Sequence, residues 1–503
     1  MNILNNHILS REDRERYDAM MASPVKVLQI GEGNFLRGFV DWMLHVCREQ
    51  GLYAGSVAVT QPRPSGKAKI ETLARQDGLY TLVTRGIENG ERVERKELIT
   101  IVAQAFDPYS DWQAFLALAD SHELEVVVSN TTEAGLVYRP EPYVEGEPIQ
   151  SFPGKVAALL YRRYRTFRGA AGRGLVFLPC ELLERNGDEL KACVLRYLED
   201  WALPDGAACR EWVLRENRFL NSLVDRIVTG HPGEEQANAW FAEWGYTDAM
   251  VNTAEPYHFW AIEGEPELEA LLPLRQAGLN VVWTDDLKPF QLRKVRILNG
   301  AHTLMTPLGL LYGLEHVGDL IEHPEFGPFV EAAVGEEIIP AVPMPEAELR
   351  AFAAAAFERF RNPYIRHRLA DIAMNSVSKF KTRLLPVLVQ AADSGQPLPR
   401  RLVLAFAALL RYYRVSRTAS GEYTGETLTG APYGVRDDAG SLAAFAAVWA
   451  EASASHEPLA ATIAKLLGLT ELWGRDLNEL AGLRDAVLAQ WEVLHSSNSN
   501  ARS

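Results

Sequence analysis

Lys294, Asn299 and His302 fall in one ten-residue stretch, KVRILNGAHT, that otherwise has the apolar spacing of a buried helix. Together they could move a proton to or from a substrate oxygen. A carbonyl that accepts a hydride needs a proton donor and polarising hydrogen bonds, and oxidation of the alcohol needs the reverse. Zinc could polarise that oxygen, but the chain has no Cys/His/Glu set at zinc spacing, so no metal site is expected. A lysine ammonium can take the role instead, because burial can bring a lysine pKa from about 10.4 toward neutrality. An asparagine amide can donate to the developing oxyanion. On an ideal helix the three side chains fall within an arc of roughly 140°, with Asn299 and His302 as i,i+3 neighbours. The same letters also fit a solvated face on which Lys294 joins Arg293 and Arg296, with Asn299–Gly300 as a helix irregularity. Spacing alone leaves both open.

A second constellation lies near the N-terminus. VKVLQI (25–30) is an apolar run, and GEGNFLRG follows it directly. Gly31 suits a tight turn, and Gly33 lets a backbone approach a pyrophosphate held at a helix start together with Asn34 and Phe35. Gly38, two positions later than in the usual fingerprint, suits close helix–sheet packing. The next strand should end in an acidic residue for the adenosine ribose of NAD, but VAVTQPRPSGKAK has none. Gln61 could hydrogen-bond ribose hydroxyls and Arg63 could accept a 2′-phosphate, so these residues leave NAD and NADP both open. SNTTEAG, at the end of a later strand, places Asn130, Thr131 and Glu133 where a nicotinamide ribose would lie. It could equally be a helix cap built on Thr131 or Thr132.

The elements that must position these residues change character along the chain. After a polar stretch (1–23) expected to be a short arm, apolar runs at 25–30, 55–60, 124–130, 173–180 and 279–286 alternate with helical periodicity. That alternation predicts a doubly wound, mostly parallel α/β domain of Rossmann type over 1–286. From about Pro289 helical patterns follow one another, which predicts an all-α domain over 287–503. A long glycine- and threonine-rich loop (418–440) interrupts it, and HSSNSNARS reads as a disordered tail.

With 503 residues the chain is too long for one core, and its net charge of −15 argues against nucleic acid as a partner. An anionic ligand would need local positive charge gathered against that background. No apolar run approaches the roughly 18 residues of a membrane span. The N-terminus lacks signal-peptide character, so a cytoplasmic enzyme is expected. The four cysteines form no CxxC pair and are expected to be isolated thiols.

K-x-x-x-x-N-x-x-H after a Rossmann-type domain and before a helical one resembles the polyol-specific long-chain dehydrogenase (mannitol dehydrogenase) family, and the resemblance covers nearly the whole chain. QIGEGNFLRGFVDW, QDGLYT, SNTTEAG, PCELLERNGDEL, LVDRIVTG, DDLKPFQLRKVRILNGAHT and RFRNPYIRHRLADIAMNSVSKFKTRLLP resemble its branch that interconverts D-tagaturonate and D-altronate in hexuronate catabolism. The fructuronate/mannonate and fructose/mannitol branches are the alternatives. The resemblance implies NAD(H)-dependent, metal-independent hydride transfer where the two domains meet, by a monomer or small homo-oligomer. It makes Lys294 the acid of reduction and base of oxidation, Asn299 and Asn186 the polarising amides, and His302 the holder of substrate hydroxyls. Asp225, beside Arg226 in LVDRIV, becomes a substrate contact or half of a loop-orienting ion pair. A hexuronate also carries a carboxylate that calls for a cation. SKFKTR offers Lys379, Lys381 and Arg383, and RFRNPYIRHR offers Arg361 and Arg366. The resemblance favours Lys379 and Lys381, although on a helix Lys379 shares its face with Arg383.

Overall fold

A computed structural model describes residues 1–496, apart from the side chain of Glu133. The chain forms two compact units, Met1–Leu287 and Lys288–Ser503. Of the expected tail, residues 497–503 lie outside the described residues, while His495 and Ser496 end the helix Leu483–Ser496. Among the described residues no helix is long and apolar enough to cross a membrane.

The first unit is built on six strands: β1 (Val25–Ile30), β2 (Ser56–Thr60), β3 (Val102–Phe106), β4 (Val126–Ser129), β5 (Val176–Pro179) and β6 (Arg218–Phe219). They lie in the order β3-β2-β1-β4-β5-β6, every neighbouring pair parallel. This is the doubly wound dinucleotide-binding order, with its switch point between β1 and β4. The central strands β2, β4 and β5 are mostly apolar and fully buried because both faces are covered. Val27, Val57, Val59, Val126 and Val128 pack into one core, and Leu28, Ile30, Ala58, Val127 and Phe177 into another.

Two expectations need correcting here. The run at 279–286 does form a strand, Val281–Thr284, but it pairs with Phe259–Glu263 in a separate three-stranded sheet. The polar N-terminal stretch is a helix, Arg11–Met21, that buries Tyr17 and Met20, while Asn2–Ile3 pairs with Tyr246–Thr247. A further element is a hairpin of two nine-residue strands, Tyr80–Glu88 and Glu91–Ile99, which Asn89–Gly90 signals in the sequence. Both turn residues have positive φ, 54° and 80°, as a tight primed turn demands.

The second unit is helical as expected, with one difference. The segment expected as a long loop contains a three-stranded antiparallel sheet, Ser416–Arg417, Tyr423–Glu426 and Pro432–Val435. Its short strands are interrupted by glycines, which hid their alternation.

Gly38 shows how tightly the first unit is packed. A Cβ there would sit 2.8 Å from Val228 Cγ1 and 3.2 Å from Asn252 Nδ2, and the β-branched valine has little rotamer freedom with which to yield. Gly38→Ala is expected to destabilise by about 1–3 kcal/mol through overpacking, seen as a lower melting temperature. An unchanged melting temperature would show that the contact relaxes freely.

Candidate active site

In the first unit the carboxyl ends of β1, β2 and β4 border a cavity of about 700 Å³, within the size range of cofactor sites. Gly31, Gly33, Arg63, Asn130 and Thr131 line it, with Glu32, Lys69, Glu141 and the Gln150–Ser151 segment. Gly31 has φ +146°, and a Cβ on it would meet Asn130 O at 3.0 Å, whereas a Cβ on Gly33 would project into open space. This gives the close, side-chain-free backbone that a pyrophosphate needs. Buried beside it, Thr60 Oγ1 and Gln61 Oε1 have no hydrogen-bond partner among the described residues. The side-chain-free cradle at Gly31 and Gly33 fits the pyrophosphate of a dinucleotide.

Three expected cofactor residues serve the scaffold instead. Asn34 Oδ1 accepts from Arg37, and its amide lies against Gly230. Phe35 stacks on Phe39 at 4.9 Å. Gln61 donates its Nε2 to Asp107 and is fully buried, which leaves only the orphan Oε1 to offer. Glu133 opens a short 3-10 turn, Glu133–Gly135, and its side chain lies outside the described residues.

Glu181 is the residue that sequence reasoning missed. Its buried carboxylate at the end of β5 accepts from Ser129 Oγ at 3.1 Å and Thr131 N–H at 2.9 Å, and so shapes the end of β4. Burial pushes its pKa up. An acidic residue directly after an apolar strand was the available signal.

Asn186 does not have the polarising role the resemblance implies. Its Nδ2 lies 3.0–3.1 Å from the carbonyl oxygens of Pro179, Glu181 and Ser222, and its Oδ1 accepts from Gly187 and Ser222 N–H. With every donor and acceptor committed to backbone, the side chain staples β5 to the strand Asn221–Asp225. Asp225 is buried at the end of that strand. Neighbouring Arg226 donates to the carbonyls of Glu255 and Gly38 and to Thr84 Oγ1, and it stacks on Trp42 at 3.9 Å. Arg226 therefore orients backbone.

In the second unit the helix beginning at Lys288 widens into a π-helical turn from Lys294 to Asn299, then resumes as Gly300–Leu311. Such turns recur at functional sites. Because a π turn closes from i to i+5, Lys294 and Asn299 come onto one face, closer in angle than on the ideal helix expected from sequence. The helix Ser376–Arg383 braces the turn. Arg296 donates to the carbonyls of Thr382 and Arg383, both at 2.6 Å, while Arg383 donates back to Thr303 Oγ1 and Asn299 O.

His302 follows one turn later. Its ring packs on Phe360 at 4.6 Å and edge-on to His367 at 5.4 Å, and its buried Nε2 has no partner among the described residues. Burial, then the fields of His367, Arg359, Arg383 and Lys379, push its pKa down to about 3. The imidazole is therefore neutral and sits in a positive field. Lys379 contributes to that field while donating to Ile372 O at 2.8 Å, and burial lowers its pKa.

The cation set differs from the favoured pair. Lys381 lies against Gly474, 3.3 Å from where a Cβ would stand, so it is Arg383 that joins Lys379, as i,i+4 geometry requires. Arg361 pairs with Glu331, and Arg366 is exposed. Arg359 and His367, from the same string, are the pair beside His302. Arg359 occupies a position on the buried face of the helix Glu346–Phe360, and that periodicity could have singled it out.

A doubly wound coenzyme fold and a lysine–asparagine–histidine turn on a helical unit together define a dehydrogenase, and the family follows directly. A model of the mannitol dehydrogenase Rossmann domain matches residues 25–275, and one of the mannitol dehydrogenase C-terminal domain matches residues 286–495. The chain belongs to the mannitol dehydrogenase family of oxidoreductases. It is 42% identical over 97% of its length, and 96% of the relative's, to altronate oxidoreductase of Bacillus subtilis (strain 168). It is 42% identical to the altronate oxidoreductase of Klebsiella pneumoniae (strain 342), covering 94% of this chain and 95% of that one. Among solved structures, a D-sorbitol dehydrogenase matches with a TM-score of 0.75 at 20% identity, covering 95% of this chain and 94% of that one. Mannitol 2-dehydrogenase of Pseudomonas fluorescens matches with a TM-score of 0.62 at 20% identity, covering 96% and 94%. These two likenesses bear on the fold.

Two outcomes follow from the site. Asn186→Ala strands several buried backbone groups and is expected to cost at least about 2 kcal/mol of stability, measured by chemical denaturation. The folded fraction should keep its turnover, and a selective loss of turnover at full stability would restore a catalytic role. For His302, the folded pKa lies below the unfolded value of 6.5. The associated stability is therefore fully present above pH 6.5 and is lost as pH falls toward 3, by up to about 1.4 kcal/mol per unit. Between pH 7.5 and 5.5 the melting temperature should fall further for the wild type than for His302→Gln. Parallel falls would contradict a neutral His302.

Proposed function

We propose that the chain interconverts D-tagaturonate and D-altronate with NAD(H), without a metal, as a step in hexuronate catabolism. The observation that carries this reading is the near full-length, 42% identical match to altronate oxidoreductase. The cationic surroundings of His302 support it, because they give a reason for a substrate carboxylate where a neutral polyol needs none.

Gly31, Gly33, Asn130 and Thr131 would hold the coenzyme, with Arg63 and Lys69 toward its adenosine end. When bound, NADH supplies the hydride to the keto carbon, and NAD⁺ takes it back in the reverse direction. Lys294 gives its proton to the carbonyl oxygen during reduction and recovers it during oxidation. Asn299, brought onto the same face by the π turn, donates its amide N–H to that oxygen as negative charge develops. Neutral His302 engages a substrate hydroxyl through its unpartnered Nε2. Lys379, Arg383 and Arg359 attract the carboxylate, against the −15 charge of the whole chain.

Lys294→Met should lower kcat by roughly 10²–10⁴-fold while NADH binding stays unchanged. Wild-type turnover should favour tagaturonate over fructuronate and fructose, and NADH over NADPH. Undiminished kcat in the variant would remove Lys294 from its role, and a preference for fructose would remove the reading of the cationic cluster.

A further inference from the structure

The first unit contains a lysine that the proposed chemistry does not use. Lys155, in the helix Phe152–Phe167, is fully buried, which is rare for an ammonium unless it is well satisfied. Its Nζ lies 2.6 Å from Tyr109 OH, 2.7 Å from Gln150 O, 3.1 Å from Pro62 O and 3.5 Å from Ser151 O. It also stands 4.5 Å from the centre of the Tyr109 ring. Tyr109 OH itself reaches Pro62 O and Gln150 O, both at 3.1 Å.

These acceptors come from two walls of the coenzyme cavity. Pro62 follows β2, the strand whose end meets the adenosine ribose in this fold, while Gln150 and Ser151 form the facing wall. Glu141 fixes the second wall from the amide side, accepting from Gln150 N–H at 2.8 Å and Ser151 N–H at 2.9 Å. The amides are thus held by a carboxylate and the carbonyls by an ammonium.

We propose that Lys155 is a positioning residue for the coenzyme, its buried amine tying the Pro62 wall to the Gln150–Ser151 wall and so setting the width of the adenosine end of the cavity. This rests on the NAD(H) reading of that cavity. Lys155 touches no reacting atom, so its loss should weaken coenzyme binding and spare the chemical step. The groups facing its amine are Tyr109, Asp107 and Glu141. Burial pulls its pKa down to about 7, against the fields of Glu141 and Asp107. The clamp is therefore mostly charged at pH 6 and loses its charge progressively as pH rises through 7.

The test uses the full chain, with NADH binding followed by fluorescence titration. Lys155→Met should raise the NADH Kd about tenfold, equivalent to about 1.4 kcal/mol, with kcat at saturating coenzyme and KM for tagaturonate within twofold. Wild-type NADH affinity should fall between pH 6 and 8.5, and the variant's should not. Tyr109→Phe, which removes one acceptor and leaves the lysine in place, should raise Kd about threefold and decides the matter if Lys155→Met does not fold. An NADH Kd within twofold of wild type in folded variants overturns the clamp, as does a pH dependence that survives in Lys155→Met. Absence of NADH binding by the wild type overturns the coenzyme reading and the clamp with it.

Discussion

The second unit turns on one local distortion, the i→i+5 turn from Lys294 to Asn299. Widening the helix costs regular hydrogen bonding, and isolated helices avoid it. Here the cost is offset by a reciprocal pair of arginines. Arg296 satisfies the last carbonyls of the helix Ser376–Arg383, and Arg383 reaches back to Asn299 O and Thr303 Oγ1. The contacts that brace the turn also fix the helix bearing Lys379. One set of bonds therefore places the Lys294–Asn299 turn and the helix bearing Lys379, the residues for which proton transfer, polarisation and carboxylate attraction are proposed. Gly300 completes the fit, since a Cβ there would press on Leu384 at 3.2 Å.

The first unit shows the same economy in backbone terms. Its strand order brings the ends of β1, β2 and β4 to one edge, and buried polar side chains then fix the loops there. Glu181 holds the β4 end, Asn186 staples β5 to the strand Asn221–Asp225, and Lys155 with Glu141 joins the cavity walls. None of these needs to touch a ligand to matter for one. Each satisfies buried backbone groups that would otherwise have cost about 1–3 kcal/mol apiece, which gives a structural reason for these polar residues.

Electrostatics sets the character of the second unit. The chain is strongly acidic overall, yet His302 lies in a field set by Arg359, Arg383, Lys379 and His367. Burial first, and then that field, keeps the imidazole neutral, and the field makes the same place attractive to an anion. Neutral imidazole and local positive charge suit a sugar acid better than a neutral polyol.

By itself the sequence determined the alternation of strands and helices in the first half, the helical second half and the glycine turn after β1, because all of these are local patterns of spacing; spacing left the Lys–Asn–His set open, and only the resemblance gave it a role. It did not determine what each polar residue would face. Asn186 reads as an oxyanion amide until its donors are seen to be committed to three carbonyls. The resemblance favours Lys381 over Arg383 until the helix is docked against the π turn, where Arg383 meets Asn299 O and Thr303 Oγ1. The turn itself, the strands within 416–435 and the roles of Glu181 and Lys155 were decided by tertiary structure alone. The bracing of the turn and the roles of Glu181 and Lys155 depend on hydrogen bonds between residues far apart in the chain, which leave no periodicity for a sequence to display, while the strands within 416–435 pair locally but are interrupted by glycines.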